Sequence, residues 1–194
     1  MSGTYGNPAV DIVELVGELF GNLDLPTLKG ESAVFEGGCN IGRNLLALQK
    51  AYGCFVEGAD ISEQAIAIAR NEVFGGSARS RFTSANLLDP DFFHSYSDNQ
   101  FDLVITRAHL MHIPKSPAKL HYIEELKRIG KMFLMIEPEI QGRSGTEFHQ
   151  HGAYALSWDD WENDYHMVRY QPNTKIPASY SVFYNKKTLP SLGS

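Results

Sequence analysis

Residues 34–46 read VFEGGCNIGRNLL, and this stretch decides the fold. It joins a short apolar run, a glycine-rich turn and the first residues of a helix, and Glu36 stands directly before the first glycine. Glycine lets a ligand approach bare backbone, and the amides at the start of a helix point toward that ligand. The stretch therefore predicts a ligand-binding turn at the carboxyl end of a strand.

The overall composition fits one globular domain of ordinary character. The chain has 194 residues, of which 43% are hydrophobic and 21% are charged, and this length allows a sizeable core. The formal net charge of -6 argues against a broad nucleic-acid-binding face, which needs clustered Lys and Arg.

Cys39 and Cys54 lie in or beside apolar runs and predict buried thiols in a reducing compartment. Because there is no signal-peptide pattern and no apolar run near the roughly 20 residues of a membrane helix, the expected location is cytoplasmic.

Apolar runs and helical patterns alternate through the middle of the chain. Runs of strand length lie at 33–36, 55–60, 81–85, 101–106 and 132–136. Helical patterns lie at 8–20, where Asn7 is the expected cap, at 42–52, from Ser62 as far as Gly75, and at 117–129, where Leu120, Ile123, Leu126 and Ile129 form one stripe. Such alternation is typical of βαβ units, so we expect an α/β fold with a mostly parallel sheet and helices on both faces.

The pattern changes after Pro138. Residues 140–164 are rich in glycine, histidine and aromatic residues and have no sustained period. Two β-like runs at 165–170 and 179–184 are expected to form a terminal antiparallel pair. With no internal repeat, we expect a single domain over 1–194, divided into an N-terminal helix and linker (1–30), a ligand-binding core (31–137) and a segment with a loop and terminal strands (138–194).

The spacing of the glycine turn separates two kinds of nucleotide site. The dinucleotide fingerprint G-x-G-x-x-G fails here, because its third position from Gly38 is Asn40 and its sixth is Arg43. It also fails from Gly37, where the third position is Cys39. The pattern acid-x-Gly-x-Gly-x-Gly fits residues 36–42, with asparagine in place of the middle glycine. Asparagine tolerates left-handed backbone best among the other residues, so the turn is expected to survive.

From residue 33 to residue 136 the chain resembles the class I S-adenosylmethionine-dependent methyltransferases. After the turn come VEGADIS at 56–62, ANL at 85–87, and FDLVIT with LMHI at 101–106 and 110–113. These stretches are similar to the family's second-, third- and fourth-strand motifs, although Asn86 stands where the family has an acid. The resemblance implies a Rossmann-like seven-strand sheet, S-adenosylmethionine as the cofactor and S-adenosylhomocysteine as the product.

The resemblance also assigns positions to the cofactor. Asp60, at the end of the second strand, would accept hydrogen bonds from the ribose hydroxyls, and Asn86 would meet the adenine edge. Glu36 would hold the amino group of the methionine part. The other positions that the resemblance gives to the cofactor are Gly38, Asn40, Gly42, Asn44, Ile61, Leu87 and Arg107. Asp102 opens a strand far from the carboxyl ends where ligands bind, so we interpret it as structural.

The candidate catalytic residues lie in loops after the fourth and fifth strands. The first loop offers His109 and His112, and the second begins at Glu137. Glu137 ends the fifth strand, and it is the leading candidate for substrate contact or for a general base. For His112, packing beside the cofactor stays open as an alternative to catalysis.

The segment after the fifth strand adds aromatic and histidine candidates. Trp158, Trp161 and Tyr165 form either an aromatic wall for a substrate such as a sugar or a cap on the sheet. His149 and His151 are two residues apart, but two histidines without a third ligand nearby do not predict a metal site. No metal is therefore expected.

The acceptor is narrowed mainly by exclusion. An Asn/Asp-Pro-Pro-Tyr motif, typical of nucleic-acid amino methylation in this family, is absent, and IEPE occupies residues 136–139 instead. The turn sequence GCNIGRNL at 38–45 and the histidine-rich segment are similar to small methyltransferases of sugar and surface-polysaccharide biosynthesis, including the pseudaminic-acid-associated group. This implies a small polar acceptor such as a sugar, with neither a membrane nor a nucleic acid as the expected partner. The alternatives are a protein or RNA methyltransferase and a non-catalytic S-adenosylmethionine-binding regulatory protein.

Overall fold

A computed structural model describes residues 11–138, 167–171 and 180–185 of the chain. Within these ranges seven strands form one sheet: β1 (Ala33–Gly37), β2 (Phe55–Asp60), β3 (Ser80–Ser84), β4 (Leu103–Arg107), β5 (Phe133–Pro138), β6 (Met167–Tyr170) and β7 (Tyr180–Asn185). Their order across the sheet is β3-β2-β1-β4-β5-β7-β6. The first five strands pair in parallel, and β7 pairs antiparallel with both β5 and β6. The predicted parallel sheet with a terminal antiparallel pair is confirmed.

The helices lie against both faces of this sheet. They are α1 (Ile12–Asn22), α2 (Arg43–Tyr52), α3 (Glu63–Ile68) and α4 (Pro117–Ile129). A π-helical turn at Ala69–Val73 continues α3, and short 3-10 helices occur at Pro90–Ser95 and Leu110–His112. None of the helices in the described ranges has both the length and the apolar character needed to cross a membrane.

Each face of the sheet has its own apolar core. On one face, α1, α2 and α3 bury residues that include Leu15, Leu19, Leu45, Leu48 and Ile66. On the other face, α4 and the helix Pro90–Ser95 bury residues that include Phe93, Tyr122, Ile123, Leu126 and Ile129. The predicted stripe of α4 is wrong at Leu120, which is 48% exposed because the face that meets the sheet carries Tyr122 instead.

Helix α1 and strand β4 begin later than the sequence predicted. Helix α1 begins at Ile12 rather than at Pro8, because Asp11 is its N-cap and accepts the amide of Val13 at 2.9 Å. The predicted cap Asn7 lies outside the described residues. Strand β4 begins at Leu103, two residues later than predicted.

Asp102 explains the late start of β4. Its carboxylate accepts the backbone amide of Ala33 at 2.9 Å and pairs with the Lys131 ammonium at 2.7 Å. The residue therefore joins the amino ends of two neighbouring strands. The structural interpretation of Asp102 is confirmed.

Candidate functional site

The carboxyl ends of β1, β2 and β4 meet near the centre of one sheet edge. β1 pairs with β2 on one side and with β4 on the other, so the chain order reverses at this point. Open α/β sheets bind ligands in the crevice at such a reversal. The glycine turn at residues 37–42 leads from β1 into α2 at this crevice.

The glycine turn holds three residues in left-handed backbone conformation. Gly38, Asn40 and Gly42 have φ angles of 70°, 51° and 77°. The backbone amide of Asn40 donates to Asp60 Oδ2 at 2.8 Å, which joins the turn to the end of β2. Asparagine therefore takes the left-handed conformation that a glycine would take, as the sequence predicted.

Two polar aromatic side chains pack directly against the turn. The His109 ring lies over Gly38, and the Tyr122 hydroxyl lies under Gly37, so closely that a Cβ at either glycine would overlap them. The two rings also meet edge to face, with centroids 5.7 Å apart. The turn, the loop after β4 and helix α4 are thus in direct contact beside the site.

Glu36 is a buried acid at the end of β1, with 1% exposure. Its Oε1 accepts from Asn44 Nδ2 at 2.6 Å, and Asn44 Oδ1 accepts from Arg107 Nη1 at 3.0 Å. Its Oε2 has no hydrogen-bond partner in the part of the chain that the structure describes. Burial raises the pKa of Glu36 to about 8, and the hydrogen bond from Asn44 and the charge of Arg107 oppose this rise. The arrangement leaves one carboxylate oxygen for a cationic or hydrogen-bond-donating ligand.

Two adjoining cavities open at this edge of the sheet. The first has a volume of about 570 Å³ and is lined by residues that include Glu36, Cys39, Arg43 and Asn44. The second has a volume of about 540 Å³ and is lined by residues that include Asp60, Ile61, Asn86, Leu87, His109 and His112. Both share Gly38, Asn40, Arg107 and Ala108 in their walls. The structure therefore brings together every residue that the sequence assigned to the cofactor except Gly42, which lies at the start of α2.

The two predicted contacts for the nucleoside also organise their own loops. Asp60 accepts the amide of Ser62 at 2.9 Å through Oδ1, in addition to the amide of Asn40. Asn86 accepts the amide of Leu88 at 3.1 Å through Oδ1. Beside them, the side chain of Ile61 is 73% exposed in the cavity wall. Their roles toward a ligand stay predictions.

The two predicted catalytic histidines line the second cavity in different surroundings. Burial lowers the pKa of His109 to about 4, so its imidazole is neutral near neutral pH. His112 ends the short helix Leu110–His112 and is exposed to solvent. Both histidines can face a substrate in this cavity, and of the two His112 is the more accessible.

Glu137, unlike the two histidines, has no exposure to solvent. The residue is fully buried, and its carboxylate accepts the backbone amides of His109, Leu110 and Met111 at 3.1, 3.1 and 3.3 Å. Burial raises the pKa of Glu137 to about 7, and these hydrogen bonds oppose the rise. The side chain of Glu137 turns inward to the loop after β4 and does not line either cavity, and its role toward a substrate stays a prediction.

Sequence reasoning missed Lys119 and Tyr122 near the site. Lys119 is 4% exposed, and its ammonium donates to the carbonyl oxygens of Leu110 and Ile113, each at 2.7 Å. The helical period of α4 would have placed Tyr122 on the buried face, next to Ile123. No local pattern indicates that a lysine is buried, because its partners are carbonyl groups of the preceding loop, whose path has no signal in the sequence.

Several candidates fall outside the described residues: His149, His151, Trp158, Trp161 and Tyr165. Within the residues that the structure does describe, no group of three or more His, Cys, Asp or Glu side chains is arranged to hold a metal ion.

The fold and the arrangement of the site are those expected of the class I S-adenosylmethionine-dependent methyltransferases. An acid closes β1 before a glycine turn, a second acid closes β2, and both border one crevice of a seven-stranded sheet. A family model described as a methyltransferase domain matches residues 34–131, about half of the chain. The chain belongs to this methyltransferase domain family. The cofactor of this class is S-adenosylmethionine, as the sequence predicted.

Comparisons with individual proteins agree with this membership. The chain is 28% identical over 127 residues to a phosphoethanolamine N-methyltransferase of Triticum aestivum, which covers 65% of this chain and 24% of that protein. The chain thus spans about a quarter of the length of that relative. The structure of magnesium protoporphyrin IX methyltransferase from Synechocystis PCC 6803 with bound S-adenosylhomocysteine is similar, with a TM-score of 0.61, 20% identity, and coverage of 89% of this chain and 80% of that one. Geranyl diphosphate C-methyltransferase from Streptomyces coelicolor A3(2) gives a TM-score of 0.63, 13% identity, and coverage of 88% and 75%.

Proposed function

We propose that the chain transfers a methyl group from S-adenosylmethionine to a small polar molecule, with sugars and surface-polysaccharide precursors as the first acceptors to test. The observation that carries the proposal is Glu36 Oε2, a buried carboxylate oxygen without a partner among the described residues, in the wall of the first cavity. A buried carboxylate oxygen without a hydrogen-bond partner is costly. The amino group of the cofactor is a donor of the opposite charge, so it suits this position.

The remaining cofactor contacts follow from the lining of the two cavities. Asp60 is proposed to accept the ribose hydroxyls and Asn86 to meet the adenine edge, with Ile61 and Leu87 against the flat base. Arg107 lies in both cavity walls and donates to Asn44, which in turn donates to Glu36. Arg107 is therefore suited to position the methionine part of the cofactor beside Glu36.

The chain's catalytic task is mainly alignment. When bound, S-adenosylmethionine supplies a methyl group that is already activated by its sulfonium. The protein must place the nucleophilic atom of the acceptor in line and, for a hydroxyl acceptor, take up its proton. His112 is the proposed proton acceptor because it is solvent-accessible in the second cavity. His109 is proposed to orient the acceptor, since its lowered pKa makes it a weak base.

A small acceptor is supported by two observations. The second cavity has about 540 Å³, and because the nucleoside of the cofactor is proposed to occupy the part beside Asp60 and Asn86, only the remaining part, beside His109 and His112, is left for an acceptor. Two of the similar proteins are named for phosphoethanolamine and geranyl diphosphate, both of them small molecules with phosphate groups.

The test has a binding arm and a transfer arm. Calorimetric titration with S-adenosylmethionine, S-adenosylhomocysteine and NAD is expected to give binding of the two sulfur ligands only. Labelled methyl transfer is then screened across sugars, sugar nucleotides, other metabolites, proteins and RNA, with transfer expected to a small molecule. Binding of NAD alone would refute the cofactor assignment. Transfer to protein or RNA would replace the acceptor class, and cofactor binding with no transfer in any class would favour a non-catalytic binding protein.

A further inference from the structure

The loop that joins β4 to α4 forms one wall of the proposed substrate cavity. Arg107, Ala108, His109, His112 and Ile113 from this loop line the cavity. Ala108 has a φ angle of 47°, which is left-handed for a residue with a Cβ. Such a conformation persists only where the surrounding structure holds it firmly. The contacts that hold this loop are therefore relevant to the site.

A buried carboxylate holds the amide side of the loop. Glu137 accepts three consecutive backbone amides, those of His109, Leu110 and Met111, at 3.1 to 3.3 Å. The amide of Ala108 donates to the carbonyl of Ile136, the residue before Glu137 in β5, at 2.9 Å. The end of β5 thus contacts four successive residues of the loop.

A buried ammonium holds the carbonyl side. Lys119, in the first turn of α4, donates to the carbonyls of Leu110 and Ile113 at 2.7 Å each. The Glu137 carboxylate lies where the amides of the short helix Leu110–His112 point. The Lys119 ammonium lies where carbonyls of the same segment point. This polarity is the favourable one for both charges.

Burial of two charged groups is costly, and apolar residues of similar volume often give equal stability. Fully satisfied buried polar groups do specify one conformation, because any shift of the loop would leave a charge without its partners. Glu137 and Lys119 together make five hydrogen bonds to one short loop. We interpret these bonds as fixing the position of the loop, because stability alone would not require buried charges.

We propose that Glu137 and Lys119 are positioning residues that hold the β4–α4 loop from its two sides, so that His109 and His112 face the acceptor. This proposal rests on the proposed function for the identity of the reaction. The proposal gives Glu137 a positioning role in place of the role of general base. Glu137 is fully buried and accepts three amides of the loop, so it affects the acceptor through the position of that loop.

Hydrogen exchange in the full chain tests, without reference to activity, whether Glu137 and Lys119 hold the β4–α4 loop (the clamp). Glu137→Gln and Lys119→Met are each compared with wild type at the amides of residues 109–111. We expect exchange at these amides to accelerate about tenfold in Glu137→Gln and in Lys119→Met, because charge-assisted hydrogen bonds are lost locally. Lys119→Arg, which keeps the charge, is expected to restore most of the protection.

Two matched controls use the same substitutions elsewhere. Glu57→Gln alters a carboxylate in β2 with 1% exposure, which is bound by Arg81 and Tyr96. Lys127→Met alters a lysine in α4 with 5% exposure, which pairs with Glu124. Both controls are expected to leave exchange in residues 109–111 as in wild type.

A kinetic arm separates positioning from general destabilisation. With an acceptor in hand, Glu137→Gln is expected to lower kcat about tenfold while the KM for S-adenosylmethionine changes less than about threefold. Wild-type exchange at residues 109–111 in Glu137→Gln would overturn the proposal, as would equal acceleration throughout β1 to β5. If Lys119→Met does not fold, Glu137→Gln decides the outcome alone. Failure of the proposed function would show as absent cofactor binding in wild type, and the exchange result would still report on the clamp.

Discussion

Asn40 is the residue at which this glycine turn departs from its usual pattern, and its backbone shows why the departure is tolerated. Asn40 has a φ angle of 51° and stands in the turn between Gly38 and Gly42, which are also left-handed. Its amide is fixed by Asp60, the residue proposed to bind the ribose. The conformation, rather than the asparagine side chain, is therefore what the turn requires.

Substitutions at Asn40 test this requirement. Asn40→Gly is expected to keep stability and cofactor affinity, whereas Asn40→Val places a β-branched residue in left-handed backbone at a cost of about 1–2 kcal/mol. Thermal unfolding and titration with S-adenosylhomocysteine measure the two effects. Loss of affinity in Asn40→Gly would instead assign the side chain a direct role.

Glu36 gives the site an expected pH dependence. Its pKa in the free protein is raised to about 8 by burial, with Asn44, Arg107 and Asp60 nearby. A bound ammonium favours the carboxylate, so binding lowers this pKa and releases a proton from Glu36. Affinity for S-adenosylhomocysteine should therefore rise with pH, by up to about tenfold per unit below the pKa of the free protein, until the ammonium of the ligand begins to lose its own proton.

Calorimetry across this pH range, in buffers of different ionisation enthalpy, measures both the affinity and the proton released. Glu36→Gln is the matched control, because it keeps the shape and removes the titrating group. A flat profile in the wild-type protein would mean that the ligand's amino group does not pair with Glu36.

Among the elements, the long helices and buried strands could be predicted, and the short segments could not. Helix α4 and strand β2 have the predicted bounds, because Ser116-Pro117 begins the helix and Asp60 ends the strand. The helices Pro90–Ser95 and Leu110–His112 are too short to show a hydrophobic period, and tertiary contacts define them.

The loop after β4 shows how far a site can be read from sequence. Its position at the carboxyl end of a strand predicted that it would border the ligand. The direction of Glu137 could not be predicted, because residues at a strand end point either to solvent or into a neighbouring loop. That choice depends on the path of residues 107–113, which no local pattern specifies.

Ala108 tests how much strain this loop holds. Ala108→Gly removes the Cβ from a left-handed residue and is expected to leave the free energy of unfolding equal or to raise it by up to about 1 kcal/mol. Ala108→Val is expected to lower it by more than about 1 kcal/mol, because a β-branched residue fits this conformation poorly. Urea unfolding of both variants measures the difference. Equal stability of the two variants would show that the loop relaxes to another conformation.

At the scale of the whole molecule, alternation in the sequence predicted a parallel sheet but not its strand order. The order places β1 between β2 and β4, so that Glu36, Asp60 and Arg107 border one crevice although they come from three strands. The resemblance to the methyltransferase family predicted that these three residues would lie together. Spacing along the chain alone does not show which strands are neighbours. At the far edge, the antiparallel pair of β6 and β7 was predicted, but the contact between β6 and α1 had no signal in the sequence.

That far edge is joined to α1 by Tyr170. Its hydroxyl donates to Glu18 Oε1 at 2.8 Å and accepts from Asn22 Nδ2 at 2.7 Å, which connects residues nearly the whole chain apart. Tyr170→Phe keeps the ring and its edge contact with Tyr184. We expect the free energy of unfolding to fall by about 1–2 kcal/mol, because a hydrogen bond to a charged group is lost.

Cofactor affinity should stay within about twofold of wild type in Tyr170→Phe, since the site lies on other strands and distant effects are largely independent. Tyr52→Phe is the comparison on the opposite side of α1, where the hydroxyl donates to the carbonyl of Val13 at the longer distance of 3.3 Å. A smaller loss is expected there, because that bond is longer and its acceptor is uncharged. Urea unfolding and titration with S-adenosylhomocysteine measure both variants. If Tyr170→Phe weakened cofactor binding while Tyr52→Phe did not, the β6–α1 contact would have to be coupled to the crevice through β7 and β5, the two strands that lie between β6 and β4.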